Sequence, residues 1–232
     1  MLDKSARAVS TMFDDISGTY DLLNHLLSGN QDVRWRKRAV RLFCPRRGEK
    51  ILDLCCGTGD LTREILRQQP RCEVFGADFS FGMLRGAAQK QIPDLTNADA
   101  LRLPFADACF DGVSVAYGVR NFEDTRAGLG EILRVLRPGG RLLVLEFMQP
   151  KSALVRAGFG AFNLVLSPLG RAISGHGAAY RYLPQSIGGF YTREEFGELL
   201  REIGFENVRG FDYSLGVSSA FLAQKPRLKS ST

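Results

Sequence analysis

Ile51-Leu52-Asp53-Leu54-Cys55-Cys56-Gly57-Thr58-Gly59-Asp60 decides how this chain is read. The run begins apolar and β-compatible, then breaks into a glycine-rich turn. Leu61-Thr62-Arg63-Glu64-Ile65-Leu66 follows at helical spacing. The order is strand, tight loop, helix. In an open α/β sheet such a loop lies at the carboxyl end of a strand, where ligands bind. Gly57 and Gly59 admit positive φ and let a ligand approach the backbone. The helix behind them points N–H groups into the loop. The dinucleotide fingerprint G-x-G-x-x-G is not met, because its third glycine falls on Thr62. What remains is an acid four positions ahead of Gly57, Asp53, followed by Gly-Thr-Gly-Asp.

Downstream, Cys72 to Asp78 reads as a short strand ending in an acid. Asp78 lies nineteen residues beyond Gly59, where a carboxylate that accepts from ribose hydroxyls belongs. An acid there also serves as a helix N-cap, but Ser80 is placed to fill that role. Asp99, followed by Ala100, falls in the loop after a third strand. It is placed to accept from an exocyclic amine, or to act as a plain turn aspartate. Phe110 to Tyr117 reads as the fourth strand, Gly128 to Leu136 as a helix, and Arg137 to Gly140 as a turn. Arg141 to Phe147 is the fifth strand. This alternation predicts an α/β fold with a doubly wound, mostly parallel sheet. Thr192 to Ile203 is a further helix. Val208 to Tyr213 and Ser218 to Gln224 read as an antiparallel pair at the sheet edge.

Upstream, Met12, Phe13, Ile16 and Tyr20 recur at helical spacing, and Leu22, Leu23, Leu26 and Leu27 continue the stripe. Gly29 and Asn30 break it. An arginine-rich helix from Val33 to Phe43 ends at Pro45 and Gly48. The chain has 232 residues, 44% hydrophobic and 24% charged, which suits one globular domain. The formal charge of +6 is scattered and forms no single basic tract. Five cysteines without C-x-x-C spacing argue against a zinc site or a disulfide framework, and for a reducing setting. No metal is expected. The N-terminus carries Asp3, Lys4 and Arg7 and no signal-peptide pattern, and no run of about twenty apolar residues spans a bilayer.

Asp53 to Asp60 resembles the first motif of class I S-adenosylmethionine-dependent methyltransferases. Further stretches narrow the resemblance. They are Tyr20 to Asn24 continuing through Ser28 to Trp35, Tyr117-Gly118-Val119-Arg120-Asn121-Phe122, Arg134 to Gly140 ending at Glu146, and Tyr180 to Ile187. Together they resemble the C-methyltransferases of ubiquinone and menaquinone biosynthesis, from about Phe13 to about Lys225. The chain departs from that family at Asp32, where histidine is usual, and at Ala116 and Met148, where serine is usual.

The resemblance implies a Rossmann-like sheet of seven strands forming one methyltransferase domain over residues 1–227. A helical cap occupies 1–47, a lid segment 151–190 and a disordered tail 228–232. It implies S-adenosylmethionine as cofactor, held by Asp53, Gly57, Thr58, Gly59, Asp78, Asp99, Ala100 and Ala116. It implies a lipid-soluble quinol substrate, most simply demethylmenaquinol, with a polyprenyl benzoquinol as the alternative. The ring carbon becomes nucleophilic as its neighbouring hydroxyl loses a proton. A cation there stabilises the phenolate. Arg120 is the expected cation, Asn121 orients the ring oxygen, and Tyr20 and Asp21 close the site; His25 is a candidate base or a plain exposed helix residue. Such a substrate implies a cytoplasmic protein in peripheral contact with the inner face of the membrane. The apolar stretch Ala153 to Tyr182 is the expected cover for the tail. A homodimer stays open. Nucleic acid is not expected, since no N-P-P-Y motif follows the fourth strand, where Ala116-Tyr117-Gly118-Val119 stands. A non-catalytic scaffold is disfavoured by the intact Gly57, Gly59, Asp78 and Asp99.

Overall fold

The computed structural model describes residues 6–149 and 177–228. Three helices come first: α1 (Ala6–Ile16), α2 (Tyr20–Ser28) and α3 (Gln31–Phe43). Then β1 (Lys50–Leu54), α4 (Asp60–Gln68), β2 (Glu73–Asp78), α5 (Phe81–Gln89) and β3 (Leu95–Asn97) alternate. β4 (Phe110–Ala116), α6 (Thr125–Val135) and β5 (Leu136–Phe147) follow. From residue 177 onward come α7 (Gly177–Gly188), α8 (Arg193–Ile203), β6 (Glu206–Tyr213) and β7 (Ser218–Gln224). The expected lid falls mostly on residues 150–176, and the expected tail on 229–232, outside the described residues.

The seven strands form one sheet in the order β3-β2-β1-β4-β5-β7-β6. β1 to β5 pair parallel, and β7 runs antiparallel to both β5 and β6. The last two strands are therefore the expected antiparallel pair, but β7 is inserted between β5 and β6, and β6 alone forms the edge. The order reverses between β1 and β4, and ligands bind at such a crevice.

Both sheet faces are covered, so the central strands are apolar throughout rather than alternating. Ile51, Leu143 and Leu145 turn toward Trp35, Ala39 and Phe43 of α3 and Leu61 and Ile65 of α4. Leu52, Leu54, Leu142 and Val144 turn the other way, onto Leu129 and Ile132 of α6 and Phe196 and Leu200 of α8. Helix ends follow local chemistry. Thr192 and Glu195 form a capping box at α8, which Gly204 ends at φ 112°. Asp124 caps α6 by accepting from the Ala127 N–H, so this helix starts earlier than its apolar pattern indicates. α1 is tied to α5 by the Asp14 carboxylate, which accepts from the Ser80 hydroxyl (2.5 Å) and the Gly82 N–H (2.7 Å).

Candidate functional site

A mainly apolar cavity opens at the carboxyl ends of β1, β2 and β4. It is walled on the far side by Val9 and Phe13 of α1 and by Tyr20 at the start of α2. The glycine loop forms its floor. Gly57 has φ 55° and borders the cavity, and an added Cβ there would meet only the Tyr20 ring edge at 3.9 Å. Gly59 does a different job. Its φ is 85° and a Cβ would press to 2.4 Å from Ile92, so it lets the loop pack while the cavity lies elsewhere. Tyr117, at φ 58°, turns the chain sharply at the end of β4. Ala116, Tyr117 and Gly118 thereby line the cavity opposite Gly57.

Asp78 and Asp99 border this space at its inner end, and the exposed Glu123 at its rim. One Asp78 oxygen accepts from the Gly57 N–H and the other from the Ser80 N–H, each at 2.9 Å. Burial outweighs those bonds and raises its pKa. Asp99 accepts from the Leu101 N–H at 2.9 Å through one oxygen. Ala98, Ala100, Leu101 and Met83 supply apolar walls between and around them. A flat aromatic ligand bearing hydroxyls at one end and an amine at the other suits this lining.

Three residues expected at the cofactor do not border the cavity. Asp53 is sealed beneath the loop, accepting from the Thr62 hydroxyl (2.5 Å) and the Ser114 hydroxyl (2.8 Å). Burial pushes it up to about 6 despite those two donors. It ties β1, β4 and α4 together and so shapes the loop from behind. The buried Thr58 turns its hydroxyl away, donating to Asp21 at 2.5 Å and accepting from Lys90 at 2.9 Å. Gly59 is the third, for the packing reason given above.

The expected reaction residues divide in the same way. Tyr20 and Asn121 border the cavity. The Asn121 amide oxygen accepts from the Tyr182 hydroxyl of α7 at 3.0 Å. Asp21 lies outside the cavity, where it pairs with Lys90 at 2.5 Å. Arg120, expected to face a substrate oxygen, is 5% exposed and stands behind the wall. It donates to Glu146 and to the Tyr117 carbonyl, each at 2.7 Å, and to the Ser186 hydroxyl at 3.3 Å. Its carboxylate partner is thus Glu146 on β5 and not Glu123 or Asp124, its neighbours in sequence. Burial opposes the Arg120 charge, but the Glu146 carboxylate outweighs it and lifts its pKa. His25 bonds Asp32 at 2.8 Å, away from the cavity.

That histidine belongs to a chain of charges invisible in the sequence. Asp32 accepts from Ser28 (2.7 Å), and Arg36 bridges Asp32 (2.7 Å) to Asp60 (3.0 Å). Lys90 then joins Asp60 (2.8 Å) to Asp21. Burial works against ionised Asp32, but the Ser28 hydroxyl and Arg36 hold its pKa below the usual aspartate value. The departure from histidine at this position thus supplies the carboxylate at the centre of this chain. Lys90, Arg36, Glu146, Ser186 and Tyr182 carry no local signal for these roles. Only the fold brings them together.

The family described as the ubiE/COQ5 methyltransferase family matches residues 1–225. A demethylmenaquinone methyltransferase from Thermus thermophilus is 44% identical over 225 residues, 93% of this chain and 100% of that protein. A ubiquinone/menaquinone biosynthesis C-methyltransferase from Geobacter sulfurreducens is 36% identical, over 97% of this chain and 91% of its own. Among solved structures, a SAM-dependent methyltransferase from Thermotoga maritima shares the fold with a TM-score of 0.67. Its sequence identity is 18%, over 93% of this chain and 99% of that one.

Proposed function

Since the chain belongs to the ubiE/COQ5 methyltransferase family, we propose that it methylates a ring carbon of a polyprenylated demethylnaphthoquinol, yielding menaquinol. Its chemistry is the S-adenosylmethionine-dependent methyl transfer of that family. The observation that carries the substrate reading is the end-to-end similarity to the Thermus demethylmenaquinone methyltransferase. When bound, S-adenosylmethionine supplies the methyl group and its sulfonium leaving group.

The residues present fit that cofactor. Asp78 is held by two backbone N–H groups with its carboxylate toward the cavity, placed to accept from ribose hydroxyls. Asp99 is assigned to the adenine amine and Ala100 to the apolar wall beside the ring. Gly57 leaves open space where a side chain would stand. Asn121 is assigned to the quinol oxygen, with Tyr182 fixing its amide. Arg120 acts through these neighbours. Its charge lies behind Asn121 and close enough to Tyr20 and Tyr182 to influence both. It therefore favours negative charge on an oxygen bound at that wall. α1 and Tyr20 exclude water.

A lipid-soluble substrate calls for contact with a membrane. None of the described helices is long and apolar enough to cross one. Arg34, Lys37, Arg38 and Arg41 form an exposed basic face on α3, which suits an anionic lipid surface. The test is direct. Purified protein is given S-adenosylmethionine and demethylmenaquinol in detergent, in parallel with a demethylated benzoquinol, and the products are analysed by mass. Gain of one methyl group on the naphthoquinol is expected. Methylation of the benzoquinol alone, or of neither, sinks the substrate reading.

A further inference from the structure

A second cavity, of about 230 Å³, opens at the opposite edge of the sheet, where β1, β4 and β5 begin and β7 ends. Its walls are Arg46, Arg137, Arg141 and Arg227, with Glu49, Asp111 and Pro138-Gly139-Gly140, the irregular stretch near the start of β5. From the geometry we propose that it binds a phosphate-type dianion, a site separate from the methyl-transfer cavity.

The argument is one of charge balance. Arg137 pairs with Asp111 at 2.5 Å, and Arg141 with Glu49 at 2.5 Å. Among the described residues Arg46 and Arg227 pair with no carboxylate. Four guanidiniums against two carboxylates leave two positive charges facing one concave space, which a dianion neutralises. Guanidinium is also the side chain best matched to phosphate oxygens.

The backbone holds this arrangement in place. Gly139, at φ 80°, donates to the Lys225 carbonyl at 3.0 Å, and Gly140 accepts from the Lys225 N–H at 2.9 Å. The Gln224 amide donates to the Gly139 carbonyl at 2.8 Å. The end of β7 is thereby pinned to that stretch of β5, and Arg227 is carried back over Gly139. A Cβ at Gly139 would lie 3.4 Å from the Arg227 Nε. On the other side, Glu49 accepts from both the Arg46 N–H (2.8 Å) and Arg141, fixing the chain that bears Arg46. S-adenosylmethionine carries no phosphate, so the two cavities do not compete for one ligand.

The test is calorimetric titration of the full chain with inorganic phosphate, ionic strength being held constant with sodium chloride. Saturable binding is expected. It should weaken about tenfold or more in an Arg46→Ala/Arg227→Ala variant, since two charge-assisted contacts are lost. Both side chains are exposed, and unchanged S-adenosylmethionine affinity in the variant certifies its fold. A second arm uses vesicles of phosphatidylcholine with and without phosphatidic acid, whose headgroup is a phosphate monoester. Binding to the anionic vesicles that needs Arg46 and Arg227 identifies the ligand as a lipid headgroup. Binding of free phosphate without that vesicle effect identifies a soluble phosphate. Heats that chloride reproduces at equal ionic strength, or equal phosphate binding by the variant, overturn the proposal.

Discussion

Arg120 and Glu146 face each other at 2.7 Å with their side chains 6% and 0% exposed, one on the loop after β4 and the other near the end of β5. Glu146 also accepts from the Arg120 N–H (3.2 Å) and the Phe147 N–H (2.8 Å). Breaking a buried pair by removing one member leaves the other unpaired, at a cost of about 3–5 kcal/mol. Arg120→Met should therefore lose stability of that order in urea unfolding. Arg120→Met/Glu146→Gln should recover a large part of it. Once folded, the double variant separates structure from reaction. A kcat about a hundredfold down, with S-adenosylmethionine affinity kept, supports the action of Arg120 through Asn121 and Tyr182. Turnover near that of the unaltered enzyme removes it.

Asp78 is held by the Gly57 and Ser80 N–H groups in the cavity wall. Asp78→Ala removes a charged acceptor from the proposed ribose contact. Titration calorimetry should show S-adenosylmethionine binding weaker by roughly 1.5–3 kcal/mol. The same substitution at Asp21, outside the cavity, should affect the cofactor far less. Equal losses at the two positions contradict this assignment of the carboxylates.

Lys90 ties three elements together, touching Asp21 of α2, Thr58 of the glycine loop and Asp60 of α4. Lys90, Asp21 and Asp60 are partly exposed, so each ion pair contributes about 1 kcal/mol or less. Their combined effect is to hold α2, and with it Tyr20, over the cavity. Lys90→Met should raise hydrogen exchange across Tyr20–Ser28 while leaving β1 and β4 protected. Unchanged protection of α2 would show that apolar packing alone keeps the cap closed.

How much of this was legible beforehand depended on how far apart the interacting residues are in the chain. Gly57, Asp78 and Asp99 could be placed from the sequence because each follows a strand, and parallel strands deliver such residues to one edge. The inserted position of β7 was hidden, because a hairpin signal gives the pairing of two strands but not which of them joins the sheet. The family resemblance puts Arg120 against a substrate oxygen, and its buried pairing overrides that. Its partner Glu146 lies 26 residues on, and an acid inside an apolar strand gives no sign of which charge it meets. The same resemblance puts Asp53 at the cofactor, and its true partners are equally hidden in the sequence. Its neighbours in space, Thr62 and Ser114, lie 9 and 61 residues away.

Asp53 gives the pH prediction. Its carboxyl is 1% exposed and titrates at about 6 in the fold, against about 3.9 in an unfolded chain. Between those values the folded state binds the extra proton. Stability from this group is therefore complete below about pH 4 and is lost as pH rises through about 6. The shift of about two units corresponds to about 3 kcal/mol. Asp53→Asn keeps the volume and an acceptor for Thr62 or Ser114 but cannot ionise. Other carboxylates titrate in the same range, so the quantity to follow is the stability difference between the two proteins. By urea unfolding, that difference should move against the aspartate form by about 2 kcal/mol between about pH 4 and pH 6.5, then become nearly level. A difference that is flat across that interval would mean that Thr62 and Ser114 keep Asp53 ionised throughout. The buried carboxyl would then be a charged anchor for the glycine loop instead of a protonated one.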